Sequence, residues 1–194
     1  VTLFDAAKAR DLTAAAEHIP GAAFEAHSTD YQTEPCLTDL VAGRFPILKV
    51  GPELTFAYRE AIFAMAAIED QLAPQTRSNI IEVIDDVMNR DDRNWRPYVP
   101  AGGQQRIAKL FGLSDRVRYY WPNAEIAKAI ELLQENIDRQ PVPRGLVLQY
   151  AGADCLGQPG QPLSRRIIDS KVGSVARKYL AAAGAVRARS EASA

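Results

Sequence analysis

Leu54, Tyr58, Ile62, Met65, Ile68 and Leu72 recur at alternating four- and three-residue steps, which draws one apolar stripe along a long helix. Gly51-Pro52-Glu53 opens that helix, with proline in the first turn where its missing N–H is harmless, and Pro74 lies beyond its end. The same period predicts a helix over 78–88, with Ile80, Ile81, Ile84 and Val87 inward. It predicts another after the cap Asn123, with Ile126, Ile130, Leu133 and Ile137 inward. A last helix starts at Ser164 and turns Ile168, Val172, Val175 and Tyr179 to the core. Shorter helices are expected over 6–19, stopped by Pro20-Gly21, over 34–42, ended by Gly43, and over 104–110. Residues 89–103 are polar and irregular.

Three segments read as strands. Residues 22–29 run from small apolar residues into polar ones, 45–50 are an apolar run, and 145–150 (Gly-Leu-Val-Leu-Gln-Tyr) follow Pro141 and Pro143. Apolar runs of this length suit a parallel sheet buried on both faces. Strands alternating with helices are the grammar of a parallel α/β protein. Three strands form a poor sheet alone but a good last portion of a (β/α)8 barrel (TIM barrel), with a small open sheet as the alternative. The chain begins without methionine and in mid-pattern, which also suggests a C-terminal portion. Residues 1–184 are expected to form one domain, and 185–194, with little apolar surface, an unordered tail.

Composition narrows the class. The 194 residues are 47% hydrophobic and 24% charged, and 23 Lys and Arg balance 24 Asp and Glu. No basic field exists to attract nucleic acid, and no apolar stretch escapes charges long enough to span a bilayer. Val1-Thr2-Leu3-Phe4 has no basic leader, so no signal peptide is expected. Cys36 and Cys155 have no motif spacing and read as reduced thiols of a cytoplasmic protein.

In a barrel the active site lies at the strand C-termini. Those positions hold Glu25, His27, Ser28, Thr29 and Asp30, then Lys49 and Gly51, then Gln149 and Tyr150. Glu25 and His27 alternate on one strand and so share a face. His27 could be a general acid/base, a metal ligand oriented by the carboxylate, or a hydrogen-bonded residue that fixes the loop. His18, before a proline at a helix end, offers no more than a favourable charge there. With two histidines and no ligand spacing, a self-contained zinc site is not expected. Lys49-Val50-Gly51-Pro52 places a cation beside a helix N-terminus, which suits a phosphate. Lys49 could equally pair with Glu25, or form a Schiff base with a ketose if desolvated. Ser114 to Trp121 carries Arg116 and Arg118 beside Tyr119, Tyr120 and Trp121. Such residues could grip a phosphate and wall a sugar pocket, form a subunit contact, homo-oligomeric contacts included, or serve a structural role alone.

Three ordered segments carry a family resemblance. Phe24-Glu25-Ala26-His27-Ser28-Thr29-Asp30-Tyr31-Gln32-Thr33 resembles a signature of the tagatose-bisphosphate aldolase accessory subunits of the GatZ/KbaZ type. Residues 47–57, with Arg59-Glu60-Ala61 downstream, and residues 113–122 match two more in the same order, and 145–150 occupies the family's last-strand position. After that strand, 151–162 departs from the family pattern. The resemblance implies a cytoplasmic barrel protein of tagatose and galactitol (or N-acetylgalactosamine) catabolism. It implies as partner a class II, zinc-dependent catalytic subunit that cleaves tagatose 1,6-bisphosphate to glycerone phosphate and glyceraldehyde 3-phosphate. Zinc is then expected in the partner, and no cofactor is firmly implied for this chain. Members are longer than this chain, and some are labelled tagatose-6-phosphate kinase. The alternative is kinase chemistry or another sugar-phosphate-binding barrel enzyme, although the chain has no Gly-x-x-x-x-Gly-Lys-Ser/Thr loop. Glu25, His27 and Lys49 are the candidate catalytic residues. Ser28, Thr29, Asp30, Gly51, Arg116, Arg118 and Gln149 are the candidate contacts to a sugar phosphate.

Overall fold

The computed structural model describes the backbone of residues 1–192 apart from 20, 22, 158 and 159, and their side chains apart from 16, 17 and 185–192. The chain groups into two compact units, Val1–Leu54 with Ser174–Ala194, and Thr55–Gly173. Each is described by itself.

The first unit holds helix α1 (Arg10–Glu17), strand β1 (Glu25–Ala26), helix α2 (Glu34–Ala42) and strand β2 (Ile47–Leu48). It also holds the first turn of α3 (Pro52–Leu72) and the last turns of α8 (Leu163–Ala192). Helix α2 starts where the sequence says it should: the Thr33 hydroxyl accepts the Cys36 N–H at 3.3 Å, and a proline sits in the first turn. It stops at Gly43, whose N–H donates to the Asp39 carbonyl at 2.8 Å. β1 and β2 run parallel, with Glu25 opposite Ile47 and Ala26 opposite Leu48. Leu37, Leu40, Phe45, Ala26 and Ala182 form a small core, where the Phe45 ring meets Phe24 at 5.4 Å and Phe4 at 6.3 Å.

The second unit is helical. It contains the rest of α3, then α4 (Ile80–Arg90), α5 (Gln105–Phe111), α6 (Ala124–Asp138), α7 (Arg144–Tyr150) and the start of α8. In the apolar stripe of α3, Leu54, Tyr58 and Leu72 are half-buried, while the middle is buried as its spacing predicts, with Ile62, Met65 and Ile68 fully enclosed. They meet Ile84 and Met88 of α4 and Ile126, Leu133 and Ile137 of α6 in one large core. Two of the polar clusters taken inside are well matched, as burial requires. Glu69 accepts the Ser78 N–H at 3.0 Å, the Ser78 hydroxyl at 2.6 Å and the Asn136 amide at 2.6 Å. Lys109 donates to Asn89 Oδ1 at 2.5 Å, pairs with Asp85, and lies 5.0 Å from the Trp95 ring centroid. The Trp95 indole N–H donates to the Met88 carbonyl at 2.6 Å.

Three expectations are corrected. Residues 145–150 are not a strand but the body of α7. The Leu146 and Val147 N–H groups bond the Pro143 carbonyl, and Gly152, at φ +93°, closes the helix by donating to the Val147 carbonyl at 3.0 Å. The apolar run 45–50 yields a ladder of only two residues, and Ile47 is 51% exposed rather than buried on both faces. On α8 the expected inward set is only half-buried, whereas Ile167 and Ala182 are completely buried, each in the core of its own unit. Helix α8 runs as far as Ala192; residues 193 and 194 lie outside the described residues. The strand expected from Ala22 is observed from Glu25, and Ala22 itself lies outside the described residues, as does the predicted breaker Pro20. Among the described residues no helix is long and apolar enough to cross a membrane.

Candidate functional site

Strand alternation decides what β1 presents. Ala26 turns into the small core, so Glu25 and His27 point the other way. There the Glu25 carboxylate meets an imidazole and an ammonium group: His27 Nε2 lies 3.3 Å from its Oε2, and Lys49 Nζ lies 3.5 Å from its Oε1. Lys49 arrives through the parallel register, one residue past β2, where its N–H donates to the Ala26 carbonyl at 2.9 Å. The three side chains are 41%, 64% and 58% exposed, in the order Glu25, His27, Lys49. The hydrogen bond from His27, with Lys49 nearby, holds the Glu25 carboxyl below the usual range of a glutamate. A lysine this open lacks the burial that activates a Schiff-base amine.

That electrostatic reading predicts a titration. When the Glu25 side-chain carboxyl is followed by carbon NMR, His27→Gln and Lys49→Met should each move its pKa upward, toward the ordinary glutamate value. An unchanged midpoint in both variants would mean that neither neighbour sets the charge of Glu25.

The loop after β1 is held in an unusual backbone. Ser28 and Tyr31 adopt φ of +57° and +61°, a region that costs non-glycine residues about 1–2 kcal/mol each. Hydrogen bonds hold it there. Thr29 is buried, and its N–H and hydroxyl both donate to the Lys49 carbonyl, at 3.3 and 3.1 Å. Tyr179 of α8 donates its hydroxyl to the Thr29 carbonyl at 2.7 Å. The Tyr31 N–H donates to Glu53 Oε2 at 2.7 Å, and Glu53 also pairs with Lys178 and lies 3.2 Å from the Tyr179 hydroxyl. Burial beside Glu53 pushes the Tyr179 phenol well above its ordinary range.

Asp30 does not face outward as a free ligand contact. One of its oxygens accepts the N–H groups of Gly51 and Glu53, at 2.8 and 2.9 Å. The start of α3, expected to be open to a phosphate, thus already has a carboxylate at its positive end. Gly51 has no heavy atom within 4 Å of an added Cβ, so crowding does not require glycine there. Ser28 is exposed, and with Asp30, Tyr31 and the first two residues it lines a cavity of about 380 Å³.

The other candidates belong to the second unit. The Arg116 guanidinium stacks 3.4 Å from the Tyr98 ring centroid, and Arg118 donates to the Tyr119 hydroxyl at 2.8 Å and to the Ser114 carbonyl. Of the three successive aromatics only Tyr119 is exposed. Tyr120 is buried and donates to the Asp91 carbonyl at 2.6 Å, and Trp121 packs edge-on against Tyr58 at 5.1 Å. Gln149 lies exposed on α7 rather than at a strand end. The structure therefore brings Glu25, His27, Lys49, Ser28, Thr29, Asp30 and Gly51 into one unit, and Arg116, Arg118 and Gln149 into the other. Glu53, Lys178 and Tyr179 support the first set and were missed, because partners 125 or more residues apart leave no local spacing. Among the described residues no group of three His, Cys, Asp or Glu could hold a metal ion.

Comparison with known proteins converges on one relationship. A family model described as D-tagatose-1,6-bisphosphate aldolase subunit GatZ/KbaZ-like matches residues 1–184. A D-tagatose-1,6-bisphosphate aldolase subunit GatZ from Klebsiella pneumoniae is 48% identical over 145 residues, 74% of this chain and 34% of that protein. The subunit of the same name from Escherichia coli O6:K15:H31 is 46% identical over 129 residues, 66% of this chain and 31% of that protein. A crystal structure of a probable tagatose 6 phosphate kinase from Sinorhizobium meliloti 1021 superimposes with a TM-score of 0.87 at 37% identity, over 94% of this chain and 48% of that one. The chain spans about a third of the length of the curated relatives it matches.

Proposed function

We infer the function from one premise: the chain belongs to the family of GatZ/KbaZ-like subunits of D-tagatose-1,6-bisphosphate aldolase. It works as part of an accessory subunit that supports the activity and stability of a class II catalytic partner in the cytoplasm. That partner supplies the zinc for cleavage of tagatose 1,6-bisphosphate to glycerone phosphate and glyceraldehyde 3-phosphate. β1 and β2 are neighbouring strands of a (β/α)8 barrel. In favour of the barrel, a parallel pair two residues long has no independent stability, and parallel sheets are normally covered on both faces.

The observation that carries the ligand reading is the open cluster of Glu25 in β1 with His27 and Lys49, each one residue past a strand of the parallel pair. Lys49 contacts a phosphate of the sugar bisphosphate, exchanging its exposed pairing with Glu25 for a charge-assisted bond to ligand. His27 carries or accepts a proton at the same face, with Glu25 fixing its orientation. Ser28 offers a hydroxyl beside them. A kinase is the second reading, favoured by the label of the similar solved structure; the chain itself has no nucleotide loop.

Three measurements test this. Added to the catalytic partner, the full-length protein should raise its turnover and lengthen its half-life; no change in either overturns the accessory role. Phosphorylation of tagatose 6-phosphate from ATP by this protein alone would establish the kinase instead. In calorimetry with tagatose 1,6-bisphosphate, Lys49→Met should weaken binding about 10- to 100-fold, the worth of one charge-assisted hydrogen bond. Equal affinity in both proteins would remove Lys49 from the phosphate contact.

A further inference from the structure

The second unit contains a cavity of about 690 Å³ that the reading above does not use. It lies among the end of α6, the turn that follows, α7 and the start of α8. Its volume falls in the range of small-molecule sites. Three arginines from three places in the chain line it: Arg139 just past α6, Arg144 at the first position of α7, and Arg166 in the first turn of α8.

Their pairing leaves positive charge over. Asp138, the one carboxylate among the described lining residues, is taken up by Ser164, whose N–H donates to it at 2.9 Å and whose hydroxyl donates to its other oxygen. Among the described residues Arg139 pairs with the exposed Glu135, at 3.4 Å along the helix. Arg166 donates one terminal N–H to the Cys155 carbonyl at 3.1 Å, while its Nε is buried with no hydrogen-bond partner among the described residues. A buried guanidinium nitrogen without an acceptor is costly, and it leaves the Arg166 charge incompletely compensated by the protein around the cavity. Val142, Val147 and Leu156 supply apolar wall between the cations.

We propose that this cavity is a second anion site, separate from the Glu25–His27–Lys49 cluster, and that it takes a small phosphorylated metabolite. Guanidinium groups match phosphate oxygens in bidentate geometry, and three in the lining of one cavity suit a doubly charged group. The apolar walls leave room for the body of the metabolite beside its phosphate.

Calorimetry with inorganic pyrophosphate on the full-length protein carrying Lys49→Met tests the site without a contribution from Lys49. Pyrophosphate should bind, and adding Arg139→Gln or Arg144→Gln should weaken it about tenfold each. Both arginines are exposed, so these changes leave the core intact. Absence of binding heat in the Lys49→Met protein, or unaltered affinity with both arginines replaced, overturns the proposal. Neither result bears on the aldolase partner's turnover, which tests the first reading separately.

Discussion

Arg59→Met should lower the folding free energy by about 3–5 kcal/mol, the cost of leaving one member of a buried ion pair alone. Arg59 and Asp115 are 2% and 0% exposed and meet at 2.7 Å. Both terminal nitrogens of Arg59 also donate to the Gly112 carbonyl at 3.3 Å, and the guanidinium lies 4.4 Å from the Phe56 ring centroid. Burial already pushes the Asp115 carboxyl above the ordinary aspartate range, with Arg59 pulling against it. Methionine fills the volume but removes that opposing charge, so the cost is electrostatic rather than a cavity. Asp115 sits at φ +44°, where asparagine is also tolerated. The double variant Arg59→Met/Asp115→Asn should therefore be more stable than Arg59→Met, since no charge remains to be buried. Urea unfolding followed by tryptophan fluorescence checks both. A loss below about 1 kcal/mol in Arg59→Met would place the pair among weak surface-like contacts.

The same pair marks the limit of what spacing reveals. Arg59 lies in the apolar-striped helix, and Asp115 stands beside the two arginines that drew attention in the sequence, yet 56 residues separate them. The helix stripes were legible because a repeat of 3.6 residues is a local signal, and Ile62, Met65 and Ile68 are buried as it requires. Residues 145–150 were not, because six apolar-rich residues satisfy a strand and a helix alike. Local chemistry held the answer there: Pro143 opens the helix and Gly152 closes it. At the candidate site, strand alternation placed Glu25 beside His27, and the polar strand ends pointed to Lys49. That Asp30 would occupy the start of α3 depends on a turn with positive φ at Ser28 and Tyr31, neither of them glycine. No residue type in that loop announces such a backbone.

The supports of that loop converge on Glu53, and its removal should be felt both in stability and at the candidate site. Glu53 is 7% exposed and accepts the Tyr31 N–H, while Lys178 pairs with its other oxygen and the Tyr179 hydroxyl lies 3.2 Å away. Glu53→Ala strips the acceptor from a backbone donor and leaves the half-buried Lys178 without its counter-ion. The expected loss is on the order of 2–4 kcal/mol, below the fully enclosed Arg59 pair because Lys178 can turn partly toward water. Tyr31 would lose the bond that holds it at φ +61°, and the loop would relax toward ordinary backbone. His27 and Ser28 stand at the head of that loop, so sugar-bisphosphate affinity should fall as well, with Lys49 still in place. Glu53→Gln keeps an acceptor for Tyr31 but not the charge facing Lys178. It should lose part of the stability and retain most of the affinity. If Glu53→Ala lowers the thermal midpoint while ligand affinity stays at the wild-type value, the loop conformation has no part in the site, and Glu53 serves the fold alone.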